Sequence, residues 1–197
     1  MTVTEQRMDQ PRILPVPLFE RVGRVRELLD GLAPKPVPGR HQPQLPDRNL
    51  PCTVVRNPAM FEPWARMGAS LRDGSLAPRD RELITLRVAA LCGSVYEWQH
   101  HRRSAALAGA SAQEIERVRI GPDADGWDPL TRARLRAVDE LVDGHHITEP
   151  TWQVLRTQYT EEQMIELMIL IGFYVMTAFL LNSTGVEVDA WLETGDA

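Results

Sequence analysis

Residues 91–105, LCGSVYEWQHHRRSA, place a cysteine, a glutamate and two adjacent histidines inside one short run. Three chemistries use such residues: thiol redox, metal binding and proton transfer. A dithiol catalyst needs a second sulfur close to the first, commonly as Cys-x-x-Cys. Cys92 has Val95 where that partner would stand, so it reads as a small buried apolar residue. Glu97 and His100 match the Glu-x-x-His element of carboxylate-bridged di-metal bundles, which need two such elements and two further carboxylates. The sequence has no second Glu-x-x-His and no His-Glu-x-x-His, and His145-His146 follows Gly144 in a stretch read as loop. No metal site is expected. Proton transfer asks for less, because Glu97 and His101 are four residues apart and share a helix face. Imidazole exchanges protons near neutral pH, and a half-buried glutamate can be tuned toward that range. Small residues nearby (Ser94, Ser104, Ala105, Ala108) would leave room for a ligand. Spacing alone leaves a plain surface Glu–His pair as the simpler reading.

The elements that must position these residues read as helices. Pro78 opens one, with Asp80 and Glu82 in its acidic first turn and Leu83, Leu86, Val88 and Ala90 behind. Cys92-Gly93-Ser94 is a break, and the next helix runs from about Ser94 to Leu107. Ser111 with Glu114 fits a capping box, and GPDADGWDP (121–129) is a loop. Further helices are expected near 130–142, 149–158 and 161–183, and Asn57-Pro58 caps another upstream. Nothing reads as a strand pair, so the fold class is all-α. The apolar run LMILIGFYVMTAFLL (167–181) would rise only about 22 Å as a helix, short of a hydrocarbon core of roughly 30 Å. It reads as a helix buried on all sides, inside the domain or at a subunit interface.

The beginning of the chain differs. Nine of the fifteen prolines fall between Pro11 and Pro51, which breaks up regular structure there. Residues 1–51 therefore read as a proline-rich arm with one short amphipathic helix within PLFERVGRVRELLDGLAP, extended from Pro34 to Pro51. Residues 52–197 read as the helical domain. Of the 197 residues, 43% are hydrophobic and 25% charged, which suits a soluble chain with a real core. A net charge of −5, with the arginines interleaved among acids, excludes non-specific nucleic-acid binding. Two cysteines forty positions apart form no disulfide framework, and MTVTEQRMDQPRILP lacks the basic-then-apolar layout of a secretory signal. The expected setting is the cytoplasm, with no membrane partner.

The run LAPRDRELITLRVAALCGSVYEWQHHRRSAALAG (76–109) resembles the carboxymuconolactone decarboxylase family, which includes the alkylhydroperoxidase D-like proteins. The resemblance continues through SAQEIERVRIGPDADGW, DELVDGHHITEPTW and FLLNSTGVEVD, and so covers about residues 57–190. It implies an alkylhydroperoxidase D-like helical bundle that is homo-oligomeric, a trimer or a multiple of one. The family's redox branch carries Cys-x-x-Cys followed by a histidine, with a glutamate one helix earlier. Laid on this chain, the two sulfurs fall on Ser94 and Glu97, the histidine on His101 and the earlier glutamate on Glu82. Both redox thiols are absent, and Cys92 lies two residues too early to replace the first. The decarboxylase branch fits what remains, because its chemistry needs no metal or organic cofactor. The resemblance thus implies a cofactor-free lyase acting on a small organic acid or lactone. His101 would be the proton donor, Glu97 the second acid or base, and Glu82 the group orienting the histidine. Arg87, which could hold a substrate carboxylate, and Ser94 are the candidate substrate contacts. The rivals are a thiol-dependent antioxidant of the alkylhydroperoxidase D type and a helical binding protein without catalysis.

Overall fold

The structure is a computed structural model that describes residues 10–32 and 48–194. It contains ten α-helices and no strand among the described residues: α1 (Gly23–Asp30), α2 (Asn49–Val54), α3 (Pro58–Arg72), α4 (Pro78–Leu91), α5 (Val95–Leu107), α6 (Ala112–Ile120), α7 (Pro129–Gly144), α8 (Glu149–Arg156), α9 (Glu161–Thr184) and α10 (Ala190–Thr194). The all-α expectation holds, and the helix starts follow the expected signals. Pro78 stands at the first position of α4 and Pro129 at that of α7, where a missing N–H costs nothing. Ser111 and Glu114 form the capping box of α6 in both directions.

The chain divides into two compact units. One is Leu71–Asn182; the other draws on Arg7–Ser70 and Ser183–Ala197. This grouping takes residues 52–70 and the C-terminal segment with the chain's beginning, a different division from the arm and domain drawn at residue 51. In that second unit Arg12 N donates to Thr184 O at 2.7 Å and Asn49 N to Asp189 Oδ1 at 2.6 Å. The expected short helix is present as α1, preceded by a single 3-10 turn, Leu18–Glu20. The extended segment expected for 34–51 lies mostly outside the described residues, and its end is helical. Pro51 occupies the first turn of α2, where the backbone N–H groups lack partners anyway, so it does not break that helix.

The unit Leu71–Asn182 is built around α4, in which every residue from Glu82 to Ala89 is buried. Helices α5, α6 and α7 pack on it. Leu83, Leu86 and Ala89 of α4 meet Trp98 and Ala105 of α5, Ile115 and Val118 of α6, and Leu135 of α7 in one core. Helix α9 is tied to this group at both ends: Glu166 accepts from Ser75 N and Oγ and from Leu76 N, while Asn182 Nδ2 donates to Cys92 O at 2.7 Å. Among its residues Met164, Leu167, Leu170, Ile171, Phe173, Ala178 and Leu181 are buried. Within the single chain it also exposes Ile165, Ile169, Met176 and Phe179; the expectation placed this helix inside the domain or at a subunit interface. At 24 residues it is also long and apolar enough to cross a membrane by length and composition, although 44% of its most apolar window is buried inside the protein.

Candidate active site

The site forms where α4 turns back into α5. Cys92 closes α4, Gly93 takes φ 61°, and Ser94 N reaches Ala89 O at 2.9 Å. That bond spans the end of the helix as in a Schellman turn, and the left-handed step favours glycine. The turn lays α5 alongside α4 and brings His101 beside Glu82. His101 Nδ1 and Glu82 Oε2 are 2.7 Å apart, with side chains 18% and 10% exposed. Glu82 Oε1 lies 3.4 Å from Arg81 Nε, and Arg81 in turn donates to Arg72 O. The carboxylate is thus held between a guanidinium and an imidazole. With Nδ1 facing the carboxylate, the other imidazole nitrogen, Nε2, is the one left for chemistry.

Glu97 lies one turn before His101 on α5 and is 2% exposed. Among the described residues, the buried side-chain oxygens without a hydrogen-bond partner are Thr85 Oγ1, Ser94 Oγ and both oxygens of Glu97. All belong to the α4–α5 pair that carries this site. Burial pushes the Glu97 carboxyl from its ordinary 4.5 up to about 8; the nearby Ser94 hydroxyl, outside hydrogen-bond geometry, opposes the rise only in part. Glu97 therefore holds its proton at neutral pH.

Helix α9 supplies a residue that the sequence did not single out. The Tyr174 ring meets the His101 ring edge-on, with centroids 4.8 Å apart. Burial first, and then the Glu82 and Glu97 carboxylates, raise the Tyr174 phenol above its ordinary value, so it stays protonated. Its signal in the sequence was the one phenol inside LMILIGFYVMTAFLL, hidden by the apolar character of the run. Arg81 was also passed over, since a basic residue beside two acids reads as an ordinary first turn of a helix.

The other candidates are placed as follows. Ser94 is buried (1% exposed) at the N-cap of α5, next to Glu97. Arg87 is directed away from this group. Its Nε and Nη2 pair with Asp139 Oδ1 and Oδ2 at 2.6 and 2.9 Å, and its Nη1 donates to the carbonyls of Val118 and Arg119. These bonds close the C-terminal end of α6 and join it to α7. His100 stacks on Tyr96, with centroids 4.4 Å apart, and Tyr96 and Trp98 are buried as packing residues. His145 ends α7 in the left-handed conformation, and His146 Nδ1 lies 2.9 Å from Gly144 O. Neither cysteine is in a disulfide; burial, and then Glu97, push the Cys92 thiol up to about 11. No cluster of three metal-binding side chains occurs among the described residues. Two surface hollows, along Arg156–Glu162 and between Trp127 and Val154, include none of the site residues.

An all-helical fold with a histidine–carboxylate pair on adjacent antiparallel helices defines the class. Residues 58–140 match the sequence model of the carboxymuconolactone decarboxylase family. The chain is 24% identical over 103 residues to the uncharacterized protein YdfG of Bacillus subtilis (strain 168), covering 51% of this chain and 70% of that protein. It is similar to the crystal structure of an uncharacterized peroxidase-related protein with an alkylhydroperoxidase AhpD core from Ralstonia eutropha JMP134. That match has a TM-score of 0.73 at 18% identity, over 92% of this chain and 94% of that one. A structure of the debrominase Bmp8 in complex with 2,3,4-tribromopyrrole matches with a TM-score of 0.72 at 14% identity, over 94% and 96% of the two chains. The chain has the carboxymuconolactone decarboxylase/alkylhydroperoxidase D-like fold that its sequence resembles.

Proposed function

We propose that this protein is a cofactor-free acid/base lyase that decarboxylates or isomerises a small organic acid or lactone. The observation that carries the reading is the 2.7 Å contact between Glu82 and His101, one turn from a buried, protonated Glu97. Where the redox branch of the family would place its two sulfurs, this chain offers a hydroxyl and a carboxyl, Ser94 and Glu97. Neither can form a disulfide, and both carry an O–H able to donate to a substrate oxygen while lacking a hydrogen-bond partner within the protein.

In a decarboxylation, the bond between the substrate carbon and its carboxylate breaks and carbon dioxide leaves. The electron pair moves into the conjugated carbonyl, whose oxygen gains negative charge. Glu97 O–H and Ser94 O–H are the donors for that oxygen, a role in which a buried acid is worth more than an exposed one. His101, oriented by Glu82, delivers a proton from Nε2 to the carbon, and solvent restores it. Isomerisation would use the same groups without loss of carbon dioxide.

The thiol-antioxidant reading draws support from the peroxidase-related structural neighbour and from Cys92 lying beside Glu97. A thiol that titrates near 11 is ionised to only about one part in ten thousand at pH 7, which makes a poor peroxide nucleophile. The reading as a non-catalytic binder is separated from the lyase by turnover itself. The experiment incubates the purified chain with carboxymuconolactone and related unsaturated lactone acids and measures carbon dioxide release and the ultraviolet change. Turnover that disappears in His101→Gln supports the lyase; no turnover on any of them, by a folded wild-type chain, removes it.

A further inference from the structure

Helices α4 and α5 run antiparallel from the turn at Gly93, and their polar residues form rungs between them. Glu82 and Thr85 are three residues apart on α4 and share a face; Glu97 and His101, four apart, share a face of α5. The 2.7 Å contact of Glu82 with His101 means that these two faces meet. Thr85 and Glu97 each lie about one turn nearer Gly93, which sets them at the next rung, with Ser94 at the turn itself. The first rung is joined by a hydrogen bond. The second is not. Thr85 Oγ1, Ser94 Oγ and both Glu97 oxygens are the buried side-chain oxygens without a partner among the described residues, in residues that are 1%, 1% and 2% exposed. Buried polar groups are ordinarily hydrogen-bonded, so three such residues in one place ask for a common explanation. Tyr174 of α9 spans both rungs. Its ring meets His101 edge-on, while the Thr85 hydroxyl, outside hydrogen-bond geometry, and the Glu82 and Glu97 carboxylates all act on its phenol.

We infer that Tyr174, with Thr85, completes an oxygen-binding site whose other walls are Ser94 and Glu97, and that its ligand is an unsaturated molecule carrying an enol- or phenol-type oxygen. The inference rests on the acid/base reading of the same site and adds to it a donor from a third helix. Charge selects the ligand. Ser94, Thr85 and Tyr174 offer neutral O–H groups, and Glu97 holds its proton at neutral pH. Arg81 is engaged by Glu82 and Arg87 by Asp139, while the Glu82 carboxylate is turned to Arg81 and His101. A permanent carboxylate is best held by a free guanidinium fork, whereas preorganised neutral donors suit an oxygen on which negative charge only develops. An enolate, formed by loss of carbon dioxide or during isomerisation, has such an oxygen. Thr85, Ser94 and Glu97 close the inner end of the site, while His101 (18% exposed) and the half-buried Tyr174 stand at its outer end. The phenol is therefore the donor that an entering oxygen meets first, and holding it there keeps the ligand beside His101.

The test follows the absorbance of para-nitrophenol on binding to the full chain at neutral pH. Nitrobenzene and para-nitrobenzoate serve as competitors, and circular dichroism confirms that each variant is folded. The phenol is expected to bind at millimolar concentration; nitrobenzene, lacking the oxygen, and para-nitrobenzoate, lacking a free cation to meet it, should both bind more weakly. Tyr174→Phe keeps the ring against His101 and removes only the hydroxyl. It should weaken para-nitrophenol binding at least about tenfold and leave nitrobenzene unchanged, a split that loss of packing would not produce. Thr85→Val, of nearly the same shape, should weaken phenol binding by about threefold or more. His100→Gln should bind as the wild type does. A Tyr174→Phe or Thr85→Val chain that binds the phenol as tightly as the wild type would overturn the inference. So would nitrobenzene or para-nitrobenzoate binding as tightly as the phenol, or no phenol binding by a folded wild type. Phenol binding that depends on Tyr174, without carbon dioxide release, would leave this site standing and remove the lyase. Carbon dioxide release undiminished in Tyr174→Phe would keep the lyase and overturn this site.

Discussion

At the scale of single residues, the site depends on one carboxyl group that is protonated and one that is paired. Glu97 titrates near 8 in the folded chain and near 4.5 when unfolded, so the folded state binds its proton more tightly. The stability from this group is complete below about pH 4.5 and is lost as pH rises through 8. Urea unfolding between pH 5 and 9 should show that decline, on the order of a few kcal/mol. Glu97→Gln should flatten it; an equal decline in the variant would mean that Glu97 is not the group responsible. The same substitution should lower turnover by less than His101→Gln does, since a neutral amide still donates a hydrogen bond. His100, stacked on Tyr96, is the internal control, and His100→Gln should leave turnover within about threefold of wild type. The Cys52→Ser, Cys92→Ser double variant should keep whatever activity the wild type has. Loss of hydroperoxide reduction in that variant would revive the thiol reading.

At the scale of elements, Arg87 and Gly121 form a joint that holds α6 to α4 and α7. Gly121 follows α6 at φ 99° and ψ −155°, a region open almost only to glycine. A Cβ there would also lie 2.5 Å from the Arg87 guanidinium. Gly121→Ala should cost about 1–3 kcal/mol from the backbone alone. Measured by urea denaturation, an effect under half a kcal/mol would show that the loop relaxes freely. The same joint marks what the sequence made legible. Helix starts depend on local chemistry such as Pro78, Pro129 and the Ser111–Glu114 box, and these were readable. The Glu82–His101 pairing follows from the resemblance and from two helices joined by the tight turn at Gly93. The engagement of Arg87 by Asp139 and the arrival of Tyr174 depend on tertiary packing, which no local pattern encodes. The apolar run in α9 was read as buried inside the domain or at a subunit interface, because composition does not tell which face of a helix packs on the core.

At the scale of the whole molecule, the fold supplies two adjacent helices that hold acid and imidazole together, and a third that closes over them. The most direct measurement of the central claim is carbon dioxide release from carboxymuconolactone and related unsaturated lactone acids. It compares the wild type, His101→Gln and the Cys52→Ser, Cys92→Ser variant, each first shown to be folded. Acid/base catalysis through the Glu82–His101 pair predicts that His101→Gln loses at least about a hundredfold while the cysteine variant matches the wild type. A folded His101→Gln chain that keeps full turnover, or a cysteine variant that alone loses it, would contradict the account.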